Sequence, residues 1–164
     1  MCRPPAEDMM ATMSSSLFLV LAVLTTGLYA GFMLTFLIAV MPGIAALPDE
    51  RFTAAMRRFN EKVPGPAFLV LFLGVIAFPA AVALGGDGGS DRVLAVVALV
   101  CAVAGHLITI AGNIPLNKAL AESEGGDDSA ARAAFEAPWN RLHRVRTLLS
   151  LAAFALLAAV GAEF

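Results

Sequence analysis

The chain has 164 residues, of which 59% are hydrophobic and only 15% are charged, and its mean hydropathy is +0.81. Soluble domains usually carry about 25% charged residues, so this composition is typical of an integral membrane protein. The net charge of −2 says nothing by itself about nucleic acid, but there is no basic run long enough to follow a phosphate backbone, so we expect no nucleic-acid partner. Cys2 and Cys101 are too few to form a disulfide framework.

Four apolar segments are each long enough to cross a bilayer as a helix, which takes about 20 residues. They predict an all-α, polytopic membrane protein with a four-transmembrane-helix bundle. The predicted helices cover about 16–44, 66–84, 93–114 and 145–162, in a single domain over residues 16–164 that follows an N-terminal tail of residues 1–15. The first apolar segment is far longer than the core of a signal peptide and follows no basic flank, so we interpret it as a retained helix.

The distribution of lysine and arginine predicts the orientation in the membrane. All of these residues except Arg3 and Arg92 lie between the first and second predicted helices, or between the third and fourth, including the start of the fourth. Short loops that are rich in Lys and Arg stay in the cytoplasm. We therefore expect a multi-pass protein of the cell membrane, with loops 45–65 and 115–144 in the cytoplasm and both termini outside.

Two further patterns concern packing. Residues 49–61 carry apolar side chains at helical spacing, which predicts an amphipathic helix along the cytoplasmic interface, packed on lipid or on the bundle. Gly27 and Gly31 are four residues apart in the first helix. Such a pair of small residues lets membrane helices approach closely, so we expect both to face a neighbouring helix.

Polar residues cluster where the third apolar segment ends and the fourth begins. Asn113 and Asn117 are four residues apart, and Trp139, His143 and Arg146 follow an i, i+4, i+7 pattern, so each set shares a helix face. Polar groups at membrane depth are expensive. The cluster is therefore either an anchor at the membrane interface or a functional site, and we expect its residues to converge on one pocket at the cytoplasmic end.

The individual residues allow both interpretations. Asn117 can cap a helix end, and Trp139 is typical of a headgroup anchor. His143 is a poor anchor, and an imidazole beside Arg146 could act as a general base. We interpret His106, deep in the third helix, as a structural histidine bonded to a neighbouring helix. With two histidines and no carboxylate inside the apolar segments, no metal site is expected.

Several of these motifs together resemble a known family. They are Val40-Met41-Pro42-Gly43, the stretch from Phe52 through Met56 to Asn60, Asn113-Ile114-Pro115-Leu116-Asn117, and Trp139-Asn140-x-x-His143-x-x-Arg146. In order and spacing, from about Leu17 to Ala159, they resemble the DUF1772, or anthrone oxygenase-like, family of small four-helix membrane proteins. Members in aromatic-polyketide pathways oxidise anthrones to anthraquinones with O₂ and no known cofactor.

The resemblance implies an oxidoreductase, a monooxygenase of polyketide biosynthesis, that acts on a hydrophobic aromatic molecule taken from the lipid bilayer and uses no cofactor. It assigns His143 as the base, Asn113, Asn117 and Arg146 as donors to an oxyanion, and Trp139, Asn140, Tyr29 and Phe135 as substrate-binding residues. The alternative is a non-enzymatic membrane scaffold or transporter subunit. Asn117 and His143 in one enclosed cavity would favour binding or catalysis, whereas both facing lipid headgroups would favour the scaffold.

Overall fold

The computed structural model describes residues 5–85 and 89–160, and this part of the chain is helical throughout except for short turns. It contains seven α-helices and two short π-helical segments. In chain order these are α1 (Pro5–Thr35), a π segment (Phe36–Val40), α2 (Met41–Ala45), α3 (Asp49–Lys62), α4 (Pro66–Gly85), α5 (Gly89–Ile108), a second π segment (Thr109–Asn113), α6 (Ile114–Glu122) and α7 (Asp128–Val160).

Four continuous helical spans are long and apolar enough to cross a membrane. They are Ser16–Ala45, Pro66–Gly85, Gly89–Glu122 and Asp128–Val160. Helix α1 packs against α4 and α7, and α5 packs against the same two helices, so the four spans form a closed ring. The predicted all-α four-helix membrane bundle is confirmed. The protein is thus a multi-pass membrane protein.

The helix boundaries differ from the predicted ones. The third span continues through α6 to Glu122, and the fourth begins at Asp128, so the predicted loop 115–144 is wrong and only residues 123–127 separate the two spans. The connector is rich in alanine, the strongest helix former, which lets both helices extend beyond the apolar residues. Helix α1 begins at Pro5, inside the segment interpreted as a tail, while the predicted end of the fourth helix at residue 162 lies outside the described residues.

Each π segment ends two residues before a proline. The amide of Met41 donates to the carbonyl of Phe36, and the amide of Ile114 donates to that of Thr109, so both bonds span five residues. Pro42 and Pro115 follow in the first turn of the next helix. A proline inside a helix clashes with the carbonyl four residues earlier, and the wider π turn relieves that clash. Both long spans therefore pass their prolines without breaking.

Helix α3 covers one end of the bundle. Phe52 and Met56 are fully buried and belong to one apolar cluster with Phe135 and Trp139 of α7. The amphipathic helix therefore packs on the bundle, which was one of the two expected arrangements.

Side-chain hydrogen bonds join α3 to α6 and α7 at the same end of the bundle. Arg57 donates to the carboxylate of Asp128 at 3.2 Å and to the carbonyl of Leu120 at 3.0 Å. Thr53 also donates to Asp128, at 2.7 Å. These bonds hold α3 against α6 and α7 over the site described below.

The two glycines of α1 behave differently. A Cβ atom at Gly27 would lie 2.9 Å from a ring carbon of Phe154 in α7, so this position needs a glycine for close packing. Gly31 is exposed, and a Cβ atom there would meet nothing within 4 Å. The expectation that both glycines face a neighbouring helix is therefore wrong for Gly31. Four residues of α-helix turn through about 400°, so Gly31 is rotated by about 40° from Gly27, towards the outside of the bundle.

Candidate functional site

A cavity of about 190 Å³ lies inside the bundle, between α1, the first turns of α4, the second π segment and the middle of α7. Helix α3 closes it from one side through Phe59 and Asn60. Six aromatic side chains contribute to its walls: Phe32, Phe36, Phe59, Phe68, Phe72 and Trp139. The shape and chemistry of these walls suit a flat apolar ligand.

Six polar side chains line the same cavity: Asn60, Thr109, Asn113, Asn117, His143 and Arg146. The four residues that were expected to converge, Asn113, Asn117, His143 and Arg146, are thus brought together. Thr109 and Asn113 reach the cavity from the second π segment, which continues α5. His143 and Arg146 reach it from α7, where their i, i+3 spacing places them on one face of the helix. The roles that the sequence assigned to these residues remain predictions.

His143 is fully buried, and both of its ring nitrogens have partners. Nε2 lies 3.0 Å from the carbonyl oxygen of Met33, and Nδ1 lies 3.2 Å from Nε and 3.1 Å from Nη2 of Arg146. Because a guanidinium can only donate, Nδ1 is the acceptor and the proton of a neutral ring is on Nε2, donated to Met33. The ring stacks on Trp139 with a centroid distance of 4.8 Å. The imidazole is therefore held in one tautomer and one orientation.

Arg146 is 8% exposed and belongs to the fourth membrane span. Besides His143, it donates to Oγ1 of Thr109 at 3.2 Å, and its guanidinium carbon lies 5.4 Å from the centre of the Trp139 ring. Among the residues that the structure describes, no carboxylate lies within ion-pairing distance of it. A buried cation without a counter-ion is strongly unfavourable, so this cavity is suited to a ligand that supplies negative charge.

The amides at the cavity are oriented by Trp139. Its indole Nε1 donates to Oδ1 of Asn117 at 2.9 Å, which leaves the amide nitrogen of Asn117 as the donor at the cavity. Its backbone carbonyl accepts from Nδ2 of Asn113 at 3.4 Å. This contact uses one of the two N–H groups of Asn113, and both N–H groups of Asn117 remain, so the oxyanion-donor roles expected of Asn113 and Asn117 stay predictions.

Three residues that were predicted to bind substrate do not line the cavity. Tyr29 lies behind it, with its ring 6.1 Å from that of Phe68. Phe135 packs behind Trp139 in the cluster with α3. Asn140 lies on another face of α7, in a surface groove beside Arg144. The residue types alone indicated a site, but only the helix rotations decide which side chains face it.

Two of the six polar residues that line the cavity were not predicted as site residues. Thr109 holds the guanidinium of Arg146, and Asn60 reaches the cavity from α3. Thr109 precedes Asn113 by four residues, so helical spacing alone could have suggested it. Asn60 follows Phe52 and Met56 at four-residue spacing and so shares their face of α3, but its place at the cavity depends on how α3 docks on the bundle.

His106 lies outside the cavity and joins two helices. Its Nε2 is 2.7 Å from the carbonyl oxygen of Phe72 in α4, and its Nδ1 is 2.9 Å from that of Ala102 in its own helix. This matches its interpretation as a structural histidine. Within the described ranges, 5–85 and 89–160, no group of three or more His, Cys, Asp or Glu residues could hold a metal ion.

Comparison with known proteins identifies the family. The sequence model of the anthrone oxygenase family matches residues 52–156, which is more than half of the chain. The chain belongs to the anthrone oxygenase family. The match includes three of the four membrane spans and every polar residue of the cavity, but it does not include α1. No curated protein and no solved structure matches the chain.

Proposed function

We propose that the protein is a membrane-embedded oxygenase of anthrone-oxygenase type, which oxidises a flat hydrophobic aromatic molecule with O₂ through its enolate. The observation that carries this proposal is the buried guanidinium of Arg146, which has no carboxylate partner among the described residues and faces an aromatic cavity. The family membership supports the same class of reaction. An enolate is the anion that this site would stabilise.

The substrate chemistry explains why such a site is sufficient. An anthrone has a CH₂ group between two aromatic rings and opposite a ketone, so loss of one proton gives an electron-rich enolate. Most of its charge is on oxygen, where Arg146 and the amide nitrogen of Asn117 would donate to it. Donors that are already oriented in a water-poor site stabilise such an oxyanion strongly. The aromatic walls would hold the rings by stacking.

The oxidation then balances with one molecule of O₂. The enolate transfers one electron to O₂, and the carbon radical and superoxide combine to form the new C–O bond. Protonation gives a hydroperoxide. Loss of the second proton from the same carbon, with cleavage of the O–O bond, produces the new carbonyl group and one molecule of water. One oxygen atom of O₂ is in the quinone product, and the other is in the water.

His143 is our candidate for the base that removes the first proton. Of the described residues that line the cavity, it is the one whose side chain normally titrates near neutral pH. In the structure its acceptor nitrogen is occupied by Arg146. Transfer of the guanidinium to the substrate oxygen would free that nitrogen, so arrival of the substrate would both expose the base and place the counter-charge for the enolate.

The cavity also offers a route for a lipid-soluble substrate. Two of its lining residues, Leu69 of α4 and Ile114 of α6, are 47% and 51% exposed on the outside of the bundle. Both are apolar and both belong to membrane spans. A hydrophobic substrate could therefore enter sideways from the bilayer, between these two residues, without crossing water.

The test is oxidation of anthrone by the purified protein in detergent. We expect protein-dependent O₂ uptake and formation of anthraquinone, with one atom of ¹⁸O incorporated from ¹⁸O₂. A matched control is Asn140→Leu, which changes an asparagine of the same helix outside the cavity and should leave the rate unchanged. Oxidation at the uncatalysed rate, for anthrone and for several hydroxylated anthrones, would contradict the proposal and favour the scaffold alternative.

A further inference from the structure

Two buried polar atoms at the cavity have no hydrogen-bond partner within the described residues. They are Oδ1 of Asn113 and Nδ2 of Asn60. Asn113 is only 1% exposed, and both residues line the cavity. More than nine in ten buried polar groups in folded proteins are paired, and leaving one unpaired is costly. Two such atoms in one cavity therefore indicate a ligand that completes them.

One of the two atoms needs a hydrogen-bond donor from the ligand, and the other needs an acceptor. The amide of Asn113 is oriented by its bond to the carbonyl of Trp139, so Oδ1 must be the atom that remains, and it can only accept. Asn60 offers an amide nitrogen, which can only donate. They come from different elements, since Asn60 is near the end of α3 and Asn113 ends the second π segment. The ligand thus meets an acceptor and a donor from separate walls.

We infer that Asn113 and Asn60 are specificity-determining residues. Asn113 accepts a hydrogen bond from a hydroxyl group on the aromatic ligand, and Asn60 donates one to an oxygen substituent of the ring system, such as a carbonyl oxygen. This inference rests on the proposed function, because it takes the ligand to be a flat aromatic ketone. It assigns Asn113 to the neutral edge of the substrate rather than to the oxyanion. A methyl ether at the same position lacks the hydrogen that Asn113 needs.

The test measures binding of three non-oxidisable probes to the purified protein in detergent: 2-hydroxyanthraquinone, 2-methoxyanthraquinone and anthraquinone. We expect the wild-type protein to bind the hydroxyl probe about 5- to 10-fold more tightly than the methoxy probe, which is the usual effect of one net hydrogen bond. Asn113→Leu should remove this preference. Asn60→Leu should weaken binding of all three quinones by a few-fold and leave the hydroxyl-to-methoxy ratio unchanged. Asn140→Leu should change neither quantity.

The outcomes separate this inference from the proposed function. Equal binding of the three probes, unchanged in Asn113→Leu, would overturn the inference while the proposed substrate class stands, and would assign the unpaired oxygen to a buried water. Failure of the wild-type protein to bind any of the three would refute the substrate class and the inference together. Thermal unfolding of each variant shows whether it is folded. If Asn113→Leu does not fold, Asn113→Ser, which shortens the acceptor out of reach, should lose the same preference.

Discussion

The guanidinium of Arg146 donates from Nε to Nδ1 of His143 at 3.2 Å, one turn apart on the same helix. Together with the contact from Nη2 at 3.1 Å, this bond occupies the acceptor nitrogen of the imidazole. Neither residue has a carboxylate partner within the described part of the chain. The guanidinium is thus hydrogen-bonded to the neutral acceptors His143 and Thr109, and an incoming anion can replace them as its partner.

Replacement of His143 by glutamine separates base catalysis from folding. The amide of glutamine can donate to Met33 and accept from Arg146, as the imidazole does, but it cannot take up a proton. We expect His143→Gln to fold and to lose about 10²- to 10⁴-fold in turnover, the usual contribution of a general base. Anthraquinone formation per folded molecule measures this.

His106→Gln is the matched control, since that histidine joins α4 to α5 away from the cavity. It should change thermal stability at most. Wild-type turnover in His143→Gln would eliminate the histidine as the base. Equal losses in both variants would point to a structural effect on the bundle.

Arg146→Met tests the oxyanion role. Methionine has a similar length without the charge, and removal of one oxyanion donor typically costs about 10²- to 10³-fold in rate. Because the buried charge has no carboxylate partner within the described residues, its loss should change thermal stability far less than activity. Turnover and the unfolding temperature are measured on the same preparation.

Arg146→Lys keeps the charge but cannot reach His143 and Thr109 together, because it lacks the planar fork of arginine. Its turnover should fall between those of wild type and Arg146→Met. If Arg146→Met has a much lower unfolding temperature but wild-type turnover per folded molecule, the arginine serves stability alone.

The membrane bundle and most of its polar site follow from local patterns in the sequence. Apolar segments of sufficient length give the four spans, and the helical spacing of His143 with Arg146 and of Asn113 with Asn117 gives two polar faces. The antiparallel pairing of the third and fourth spans then brings those faces together.

Features that depend on tertiary packing could not be obtained in this way. The third span extends past its apolar segment because a π turn accommodates Pro115, and hydropathy does not report on π turns. Asn60 reaches the cavity only because Phe52 and Met56 dock α3 on α7. Tyr29 is of a suitable residue type for a pocket wall, but the rotation of α1 places it behind the cavity.

The contrast between Gly27 and Gly31 gives a prediction for stability within one helix. Gly27→Ala places a methyl group against the ring of Phe154, and such overpacking usually costs about 1–3 kcal/mol. Gly31→Ala meets open space and should be neutral or stabilise the helix by roughly 0.5–1 kcal/mol. The unfolding temperature, measured in the same detergent, should fall in Gly27→Ala and stay the same or rise in Gly31→Ala. Equal shifts would contradict the packing of α1 on α7.

The orientation in the membrane is the last prediction, and it rests on the lysine and arginine bias. Single-cysteine variants at Ser90 and Glu124, in a background without Cys2 and Cys101, report on the two ends of the bundle. Both positions are exposed, and Glu124 is preferred over Ser123 because Ser123 accepts a bond from Arg57 at 3.0 Å. In intact cells, an impermeant thiol reagent should label the variant at 90 and not the one at 124, which becomes reactive only after lysis. Labelling at 124 alone would reverse the orientation and place the cavity near the outer surface.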